Sequence, residues 1–460
     1  MKYQVFILPF LFLVLPLKAQ KDKKKGVIDK GKMGVKMEQA RNKFAENDMR
    51  GALNTAREVL AMDEDHPKAH FLIARAQYKL GHYGLADDYS LKAAHGKEKI
   101  GAEYYLFRGK VHHRHARLDS AIKMFERFKK ELEGKTLPKG RRMKASDVDH
   151  YIEQCKTARR LMNDSLPVDR TSMGRRINSR YDEYTPCMRS DGEKLFFTAR
   201  RPDTKGGGVD KMGDHNYFED IYYSEWDEEE EEWSRPDGVP GRINTAGYDA
   251  ILSLSPNGER MYIYRNNPEH AGDIFRSELS DRTGKWRRPK LLPKPINSSF
   301  YEGSISTIKE EKKAYFISER KGGSGRGDIY VTTKKGYNEW SEPKNLGPKI
   351  NTPRDEKFVH VRPDGSVLFF ASNGHDGMGS YDIFKTEKLD SGWSEPENLG
   401  YPINTVNEES TFSFLPGEQL MYMAGRFKEN QGARDLYKVD LGEMELYDKV
   451  EAKKEKGDSK

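Results

Sequence analysis

Apolar residues follow two different periods along the chain. Between residues 33 and 132 they recur at the three-to-four-residue spacing of amphipathic helices. From residue 166 onward, short segments alternate apolar and polar positions and are separated by Asp-Gly, Asn-Gly or Gly-rich turns, the pattern of antiparallel strands. SDGEKLFF at 190–197 and RPDGSVLFF at 362–370 are examples. The pattern predicts a helical module followed by an all-β module.

The helical pattern repeats with small residues in phase. Two series are spaced 34 and 35 residues apart: Ala40, Ala74 and Gly109, and Ala52, Ala86 and Ala121. Small residues at such positions allow two antiparallel helices to approach closely. The period and the pattern resemble the tetratricopeptide repeat (TPR), in three copies, and the resemblance implies a groove that binds a peptide or a partner's helix. A further helix beginning at Ser146 or Asp147 is expected to cap the stack.

The β-module contains a longer sequence repeat. Tryptophans spaced 53, 54 and 53 residues apart are Trp233, Trp286, Trp340 and Trp393. An Asp that opens an Asp-Ile/Leu-Tyr/Phe phrase recurs as Asp220, Asp273, Asp328, Asp382 and Asp435, and Ile-Asn pairs recur in phase with it. Four short strands in each unit predict the blades of a β-propeller. The pattern resembles the WD40-like propeller repeat of bacterial envelope proteins and covers residues 166–442.

The two ends of the β-module predict how the ring closes. PVDRTSMGRRIN at 167–178 occupies the frame of WSEPENLGYPIN at 393–404, with Pro167 in the place of the tryptophan. The last repeat stops one strand short of a complete blade. We therefore expect five blades, with the N-terminal strand completing the fifth so that no sheet edge stays free. Trp393 is expected to pack the outer strand against its own sheet.

The domain plan follows from these patterns. Residues 1–19, with Lys2 before a thirteen-residue apolar run, are predicted to be a secretory signal peptide, because the run is short for a membrane span. A basic linker (20–32), the helical repeats with their capping helix (33–165), the propeller (166–442) and a charged tail (443–460) follow. The mature protein is expected in the periplasm without a transmembrane segment, with peripheral association to the outer membrane.

Charge and cysteine content narrow the classes of partner. Residues 21–164 carry a net charge of +12 and residues 165–460 a net charge of −7. The basic part suggests an acidic partner or surface, whereas export argues against nucleic acid. Cys155 and Cys187 are the only cysteines. They form either one disulfide or two buried thiols, and the sequence does not decide between them.

One position in each repeat carries candidate chemistry. Five residues after each repeated Asn, at the predicted start of the innermost strand, stand Glu183, Asp249, Glu302, Glu356 and Glu409. If they surround one channel mouth, they predict a shared divalent-cation site. The competing interpretation is that each carboxylate caps the turn of its own blade, where a Ser or Thr follows the Asn.

Other motifs favour structural roles. The Gly-rich segments 321–330 and 372–384 lie between strands, so tight turns are favoured over calcium or phosphate binding. His112, His113 and His115 lack the spacing that aims two imidazoles at one metal ion. No catalytic motif is present, and no cofactor is expected apart from a cation at the carboxylates.

The combination of both modules resembles a class of envelope proteins of Bacteroidota. In that class the modules often precede an OmpA-like domain that grips peptidoglycan, and some members belong to the type IX secretion and gliding apparatus. This chain departs from the class because only a short charged tail follows residue 442. The sequence therefore predicts a non-enzymatic periplasmic scaffold that binds envelope proteins through the helical groove and a propeller face. The alternative is a propeller that binds or cleaves carbohydrate for glycan uptake.

Overall fold

The computed structural model describes residues 15–133, 145–266, 272–415, 419–427, 429–430, 434–442 and 444, without the side chains of 15–29, 98–99 and 145–146. Most of the predicted signal peptide and of the charged tail lies outside these residues. The chain forms two compact units, one ending at Tyr104 and the other beginning at Tyr105.

Helices dominate the first part of the chain, and the predicted basic linker 20–32 is part of the first helix. Their bounds are α1 (Leu15–Ala45), α2 (Met49–Leu60), α3 (Pro67–Lys79), α4 (Tyr83–Lys92), α5 (Lys97–Ile100), α6 (Glu103–Arg114), α7 (Leu118–Leu132), α8 (Ala145–Asn163) and α9 (Gly174–Ile177), with short 3-10 turns at Ala93–Gly96 and Lys309–Glu311. Of the helices that the structure describes, none is long and apolar enough to cross a membrane.

The first unit packs helix pairs through the predicted small residues. Ala40, Ala52, Ala74 and Ala86 are fully buried, and helices α1 to α4 pack in sequence order, each against the next. The apolar side chains of α1, α2 and α3 form one core around them. The absence of a side chain beyond Cβ is what allows these helices to approach closely. The predicted helical repeat is confirmed over these two pairs.

The last helices belong with the propeller in the second unit. A Cβ at Gly109 would collide with the Phe125 ring, so the third small-residue position also serves a close helix contact. In α6, His113 Nε2 lies 2.9 Å from the carbonyl oxygen of Met378, and Arg114 donates to the carbonyl of Asn407. The boundary between the compact units therefore falls inside the helical segment, between Tyr104 and Tyr105. The sequence pattern instead divides the chain where the helices end, near residue 165.

Helix α8 extends this contact with blade 4. Gln154 donates to the carbonyl of Gly379, and Thr157 donates to Asp376. Arg160 lies 2.8 Å from the other oxygen of Asp376. Gly379 accepts through its backbone carbonyl and Asp376 through its side chain, and a helical periodicity carries no signal for such partners. The helix predicted to cap the repeat stack thus also fastens the helical segment to the β-module.

The β-module consists of five antiparallel sheets. Blade 5 begins with β1 (Asp169–Ser172). Blade 1 contains β2 (Glu183–Met188), β3 (Lys194–Ala199), β4 (Asp220–Asp227), β5 (Glu232–Trp233) and β6 (Asp237–Gly238). Blade 2 contains β7 (Asp249–Leu254), β8 (Arg260–Arg265), β9 (Asp273–Glu278) and β10 (Lys290–Leu291). Blade 3 contains β11 (Glu302–Thr307), β12 (Lys313–Ser318), β13 (Asp328–Gly336), β14 (Glu339–Trp340) and β15 (Lys344–Asn345).

The remaining blades complete the ring. Blade 4 contains β16 (Glu356–Val361), β17 (Val367–Ser372), β18 (Asp382–Leu389), β19 (Gly392–Trp393) and β20 (Glu397–Asn398). Blade 5 contains β21 (Thr411–Leu415), β22 (Leu420–Gly425) and β23 (Asp435–Asp440), and β1 pairs with β23 as its outer strand. The register runs from Asp169 opposite Asp440 to Ser172 opposite Tyr437. The predicted five blades and the closure by the N-terminal strand are confirmed.

The core of the ring lies between neighbouring blades. Apolar clusters join each blade to the next around the full circle. Trp286, Trp340 and Trp393 each pack into the cluster shared with the preceding blade, and the Trp393 ring centre lies 5.9 Å from that of Tyr315 in blade 3. The expectation that Trp393 packs against its own sheet is therefore incomplete: the indole also joins two blades.

The cysteines do not pair. Cys155 in α8 and Cys187 in β2 are both buried and free. Burial raises the pKa of Cys155 to about 12 and raises that of Cys187 further above its usual range. Of the two alternatives, the structure selects separate buried thiols, which are poor nucleophiles because the thiolate is the reactive form.

Candidate functional site

Each innermost strand begins with, or directly follows, a buried carboxylate that binds the turn in front of it. These carboxylates are 0–1% exposed and belong to Glu183, Asp249, Glu302, Glu356 and Glu409. In every blade the carboxylate accepts bonds from the backbone N–H and the hydroxyl of the Ser or Thr four positions earlier. The Thr352 hydroxyl, for example, lies 2.8 Å from Glu356. The position acts as a turn cap.

The same five groups do not form one cation site. Among the residues that the structure describes, no cluster of three or more His, Cys, Asp or Glu side chains could hold a metal ion. In blades 1 to 3 an arginine supplies the counter-charge: Arg201 at 3.0 Å from Glu183, Arg265 at 2.6 Å from Asp249 and Arg320 at 3.4 Å from Glu302. The predicted shared cation site is corrected accordingly, because each carboxylate is bound within its own blade.

Burial raises the pKa of three of these carboxyl groups: that of Glu183 to about 7 despite the nearby Arg201, and those of Glu356 and Glu409 in blades 4 and 5. The Ser372 hydroxyl donates to Glu356 at 2.9 Å. Burial raises the pKa of Glu356 to about 7. Burial, together with the nearby Asp382, raises the pKa of Glu409 to about 8. These three groups therefore hold their protons more tightly in the folded protein than in the unfolded chain.

The repeated aspartates bind the loops between the second and third strands. Asp382 accepts from the backbone N–H groups of Met378 and Gly379 at 3.0 and 2.9 Å. Asp328 binds two N–H groups of the Gly-rich loop 321–327 in the same way, and Asp220 binds Lys205 N at 2.7 Å. Asp273 and Asp435 are equally buried. The Gly-rich segments are thus turns held by an acidic side chain, which supports the structural interpretation of both.

Each repeated asparagine makes two hydrogen bonds to the backbone of its blade, an arrangement that we call the asparagine lock. In the sequence, only the recurrence of these residues marks them. Each side chain accepts from the N–H, and donates to the C=O, of the residue after the repeated Asp in its blade. The pairs are Asn178 with Leu436, Asn244 with Ile221, Asn297 with Ile274, Asn351 with Ile329 and Asn404 with Ile383, at 2.7–3.0 Å. The amide therefore extends each sheet by one ladder step.

Four of the positions that differ among blades, Glu219, Tyr248, Tyr301 and Arg434, line one cavity of about 500 Å³ at the mouth of the channel. The residue before the repeated carboxylate is Asp182, Tyr248, Tyr301, Asp355 or Glu408. The residue before the repeated Asp is Glu219, Gly272, Gly327, Tyr381 or Arg434. Backbone bonds between blades, such as Glu183 N to Arg434 O at 3.0 Å, bring the two sets side by side. We call this cavity the mouth pocket.

Blade 1 contributes an ion network to the mouth pocket. Arg200 lies 2.5 Å from Asp214 and 3.9 Å from Glu219. The hydroxyl of Tyr184 donates to Glu219 at 2.5 Å. Burial raises the pKa of Glu219, although Arg200 and the Tyr184 hydroxyl oppose the shift. The guanidinium is thus shared between two carboxylates.

Blades 4 and 5 extend the charged wall. Arg434 Nε lies 3.2 Å from Asp182, and its guanidinium carbon lies 4.1 Å from the centre of the Tyr184 ring. Lys357 Nζ lies 2.7 Å from Glu408. Burial alone would raise the pKa of Glu408, but Lys357 and Arg434 outweigh it and hold the pKa at about 2. Each of these charges has an opposite partner.

Blades 2 and 3 contribute an aromatic wall. Tyr264 and Tyr301 both line the mouth pocket, with ring centres 5.9 Å apart. A Cβ at Gly272 would collide with the Tyr264 ring, and a Cβ at Gly303 would collide with the Tyr301 ring. The two tyrosines therefore lie against bare backbone, which is available only where these two blades carry glycine.

The insertion of blade 1 forms a rim over the same pocket. Val209 bridges to Tyr217 and closes a small hairpin. Asp210 accepts from two backbone N–H groups within the hairpin and from the Tyr248 hydroxyl at 2.5 Å. The tip residue Met212 is 96% exposed. The insertion is thus held in place from below while its tip faces solvent.

A strained backbone position lies in the mouth pocket. Thr185 has φ of 51°, a region that β-branched residues rarely adopt. It lies in a bulge of β2, and its N–H donates to the Thr411 hydroxyl of blade 5 at 3.0 Å. Strain of this kind concentrates at functional positions. No sequence pattern marked Thr185.

Comparisons with known proteins give no family for this chain. No family model matches the chain, and no curated protein sequence matches it. Among solved structures, TolB from Acinetobacter baumannii is 16% identical with a TM-score of 0.36, over 57% of this chain and 56% of the TolB chain, so this chain spans about half the length of that structure. The xylosidase/arabinofuranosidase CoXyl43 from a compost metagenome is 10% identical with a TM-score of 0.40, over 59% of this chain and 94% of that one.

A third structure is of the same kind. The catalytic domain of an arabinofuranosidase from Coprinopsis cinerea is 12% identical with a TM-score of 0.39, over 59% of this chain and 96% of that one. At such identities a likeness concerns the fold, and function depends on the individual site.

Proposed function

We propose that this protein is a non-enzymatic scaffold of the Gram-negative cell envelope, which binds its partners through the helical units and through the mouth pocket of the propeller. The apolar run at residues 5–17, preceded by Lys2, supports export to the periplasm. The resemblance of the repeats to those of TPR–propeller envelope proteins supports the same assignment. Accessory roles in outer-membrane secretion or gliding machinery belong to this proposal.

One observation carries the non-enzymatic part: each charged side chain that lines the mouth pocket is paired with another group of the protein. Glu219 is held by Tyr184 and Arg200, and Asp214 by Arg200. General acid–base catalysis needs a group that exchanges its proton with the substrate near the working pH. Glu219 and Asp214 are already engaged by protein donors, which argues against their exchanging a proton with a substrate.

Glycan cleavage is less well supported than binding for the same reason. Glycosidases place two carboxyl groups on either side of the scissile bond, one of which acts as a protonated acid. Lys357 and Arg434 hold the pKa of Glu408 at about 2, so this group stays ionised at neutral pH. The wall is built to present hydrogen bonds, which is the chemistry of a recognition site.

The test is capture of partners from envelope extracts with a charge-reversed pocket. Lys357 is 44% exposed at the mouth, and Lys357→Glu would place two carboxylates together. Lys335→Glu makes the same change at an exposed position at the end of β13 and serves as the matched control. Loss of a stoichiometric partner with Lys357→Glu alone, in a protein with unchanged circular dichroism, is the expected result.

Two outcomes would contradict the proposal. Equal capture by the parent protein and Lys357→Glu would remove the mouth pocket from partner binding. Turnover of a polysaccharide or peptide by the parent protein, abolished in Lys357→Glu and retained in Lys335→Glu, would make the protein an enzyme.

A further inference from the structure

We infer that the mouth pocket binds a neutral sugar ring of an envelope glycan. This inference rests on the proposed function, because it names the ligand of the same non-catalytic pocket. Three features of the pocket carry it: the pairing of its charges, the hydrogen-bonding capacity that the pairs retain, and the aromatic wall in the same pocket.

The pairing of the charges argues against an ionic ligand. The charged residues that line the pocket are Arg200, Asp210, Asp214, Glu219, Lys357 and Arg434, three of each sign. Their partners are protein groups: carboxylates for the three cations, and guanidinium or tyrosine hydroxyl groups for the three acids. A ligand with net charge would have to break one of these pairs and leave its partner uncompensated. The pairing therefore favours a neutral ligand.

Pairing neutralises the charges but leaves hydrogen-bond donors and acceptors of the paired side chains available to a ligand. A guanidinium carries five N–H donors and a carboxylate about four acceptor sites. Arg434 uses its Nε for Asp182, and Glu219 accepts from the Tyr184 hydroxyl. Donors and acceptors standing side by side match neighbouring hydroxyl groups, each of which donates one bond and accepts others. A polyhydroxylated ligand satisfies both kinds of group without disturbing the ion pairs.

The aromatic wall completes the complementarity. Tyr264 and Tyr301 line the same pocket as the ion network, and their rings lie against the backbone of Gly272 and Gly303. An aromatic ring carries partial negative charge on its face, so it attracts the C–H groups of a sugar ring. A purely polar ligand would gain nothing from this aromatic wall, and an apolar ligand would desolvate the charged side chains of the pocket without replacing their hydrogen bonds to water. A sugar presents a C–H face and a hydroxyl edge together.

The size of the cavity agrees with a small ligand. Its volume of about 500 Å³ falls within the roughly 300–1,000 Å³ of small-molecule sites. The rim formed by the insertion of blade 1 brings Asp210, Gly213 and Asp214 to the edge of the cavity. A terminal or looped residue of a glycan can enter from this side.

The experiment is calorimetric titration of the full chain with neutral di- and trisaccharides of glucose, xylose, mannose and N-acetylglucosamine. At least one series is expected to bind. Tyr301→Ala and Tyr264→Ala should each weaken its affinity about tenfold or more, since the stacking surface is lost. Tyr301→Phe keeps the ring and should keep the affinity. Tyr337→Ala, at a 76% exposed tyrosine on the β13–β14 hairpin, is the matched control.

Ionic strength gives a readout that does not depend on the variants. Binding of a neutral ligand should be unchanged between about 0.05 and 0.5 M sodium chloride, because screening acts on charge interactions. If only saccharides that carry carboxylate or amino groups bind, and salt weakens them, the inference is overturned. Equal binding by Tyr301→Ala, Tyr264→Ala and the parent protein would overturn it as well.

Failure of this inference can be told apart from failure of the proposed function. If no saccharide binds while capture of a protein partner depends on Lys357, the sugar is wrong and the scaffold stands. If a saccharide binds through Tyr264 and Tyr301 and is then cleaved, the sugar is right and the non-enzymatic assignment falls.

Discussion

Removing one asparagine lock should destabilise the propeller strongly. Asn404 is fully buried, and its amide accepts from Ile383 N at 2.7 Å and donates to Ile383 O at 2.8 Å. Asn404→Ala leaves the Ile383 N–H without its side-chain partner in an interior that excludes water, whereas the Ile383 carbonyl still accepts from Leu399 N at 3.0 Å. One unsatisfied buried group costs about 1–3 kcal/mol, so the expected loss in the free energy of unfolding is about 1–3 kcal/mol.

Tryptophan fluorescence in urea isolates the relevant transition, because all five tryptophans lie between residues 226 and 393 of the propeller. The midpoint should fall at unchanged slope, which identifies a change of stability without a change in exposed surface. Asn338→Ala, at an exposed asparagine in the β13–β14 hairpin, should stay within about 0.5 kcal/mol of the parent protein. A loss below about 0.5 kcal/mol in Asn404→Ala would refute the idea that the amide holds the sheet.

Three further predictions follow from burial. Burial raises the pKa of Glu356 to about 7 in the folded protein. The protonated carboxyl group therefore contributes fully to stability below about pH 4.5, and this contribution is lost as the pH rises through about 7. In thermal melts, Glu356→Gln should reduce that pH-dependent loss of stability by up to about 3 kcal/mol. Trp393→Ala should cost about 3–5 kcal/mol in urea unfolding, since its indole fills the space between blades 3 and 4, and a cost near that of a surface substitution would contradict this role. Cys155 and Cys187 should react with a thiol reagent only in denaturant, because burial raises both pKa values; rapid labelling of the native protein would show them to be accessible.

Repetition made much of the fold predictable. The repeat of 53 residues places one Trp, one Asp and one Asn at constant spacing. The Asp and Asn side chains are buried, and they find the same hydrogen-bond partners in each repeat only if every repeat has the same fold. The degenerate copy at 167–178 then places β1 beside β23. The recurrence of the small residues Ala40 and Ala74, both fully buried, likewise predicts helices that approach closely. Recurrence identified these positions, although it did not reveal that the asparagine binds backbone or that Trp393 joins two blades.

The candidate site was predictable only in outline. Recurrence drew attention to Glu356 and its four counterparts, but residues that recur in every blade serve the blade itself. The mouth pocket is built from positions that do not recur, such as Arg200, Arg434 and Tyr301. Arg434 lies 252 residues from its partner Asp182. A single sequence contains no local signal for such a pair, because their proximity is created by ring closure.

The sequence by itself determined the local and periodic properties of this protein: which segments become helices or strands, how many blades form and which strand closes the ring. These follow from hydrophobic periodicity and turn chemistry, which act over a few residues at a time. The tertiary structure alone decided which unlike residues meet at the channel mouth, and that helices α6 and α8 are fastened to blades 4 and 5. Such contacts join distant parts of the chain, so they exist only once the ring has closed.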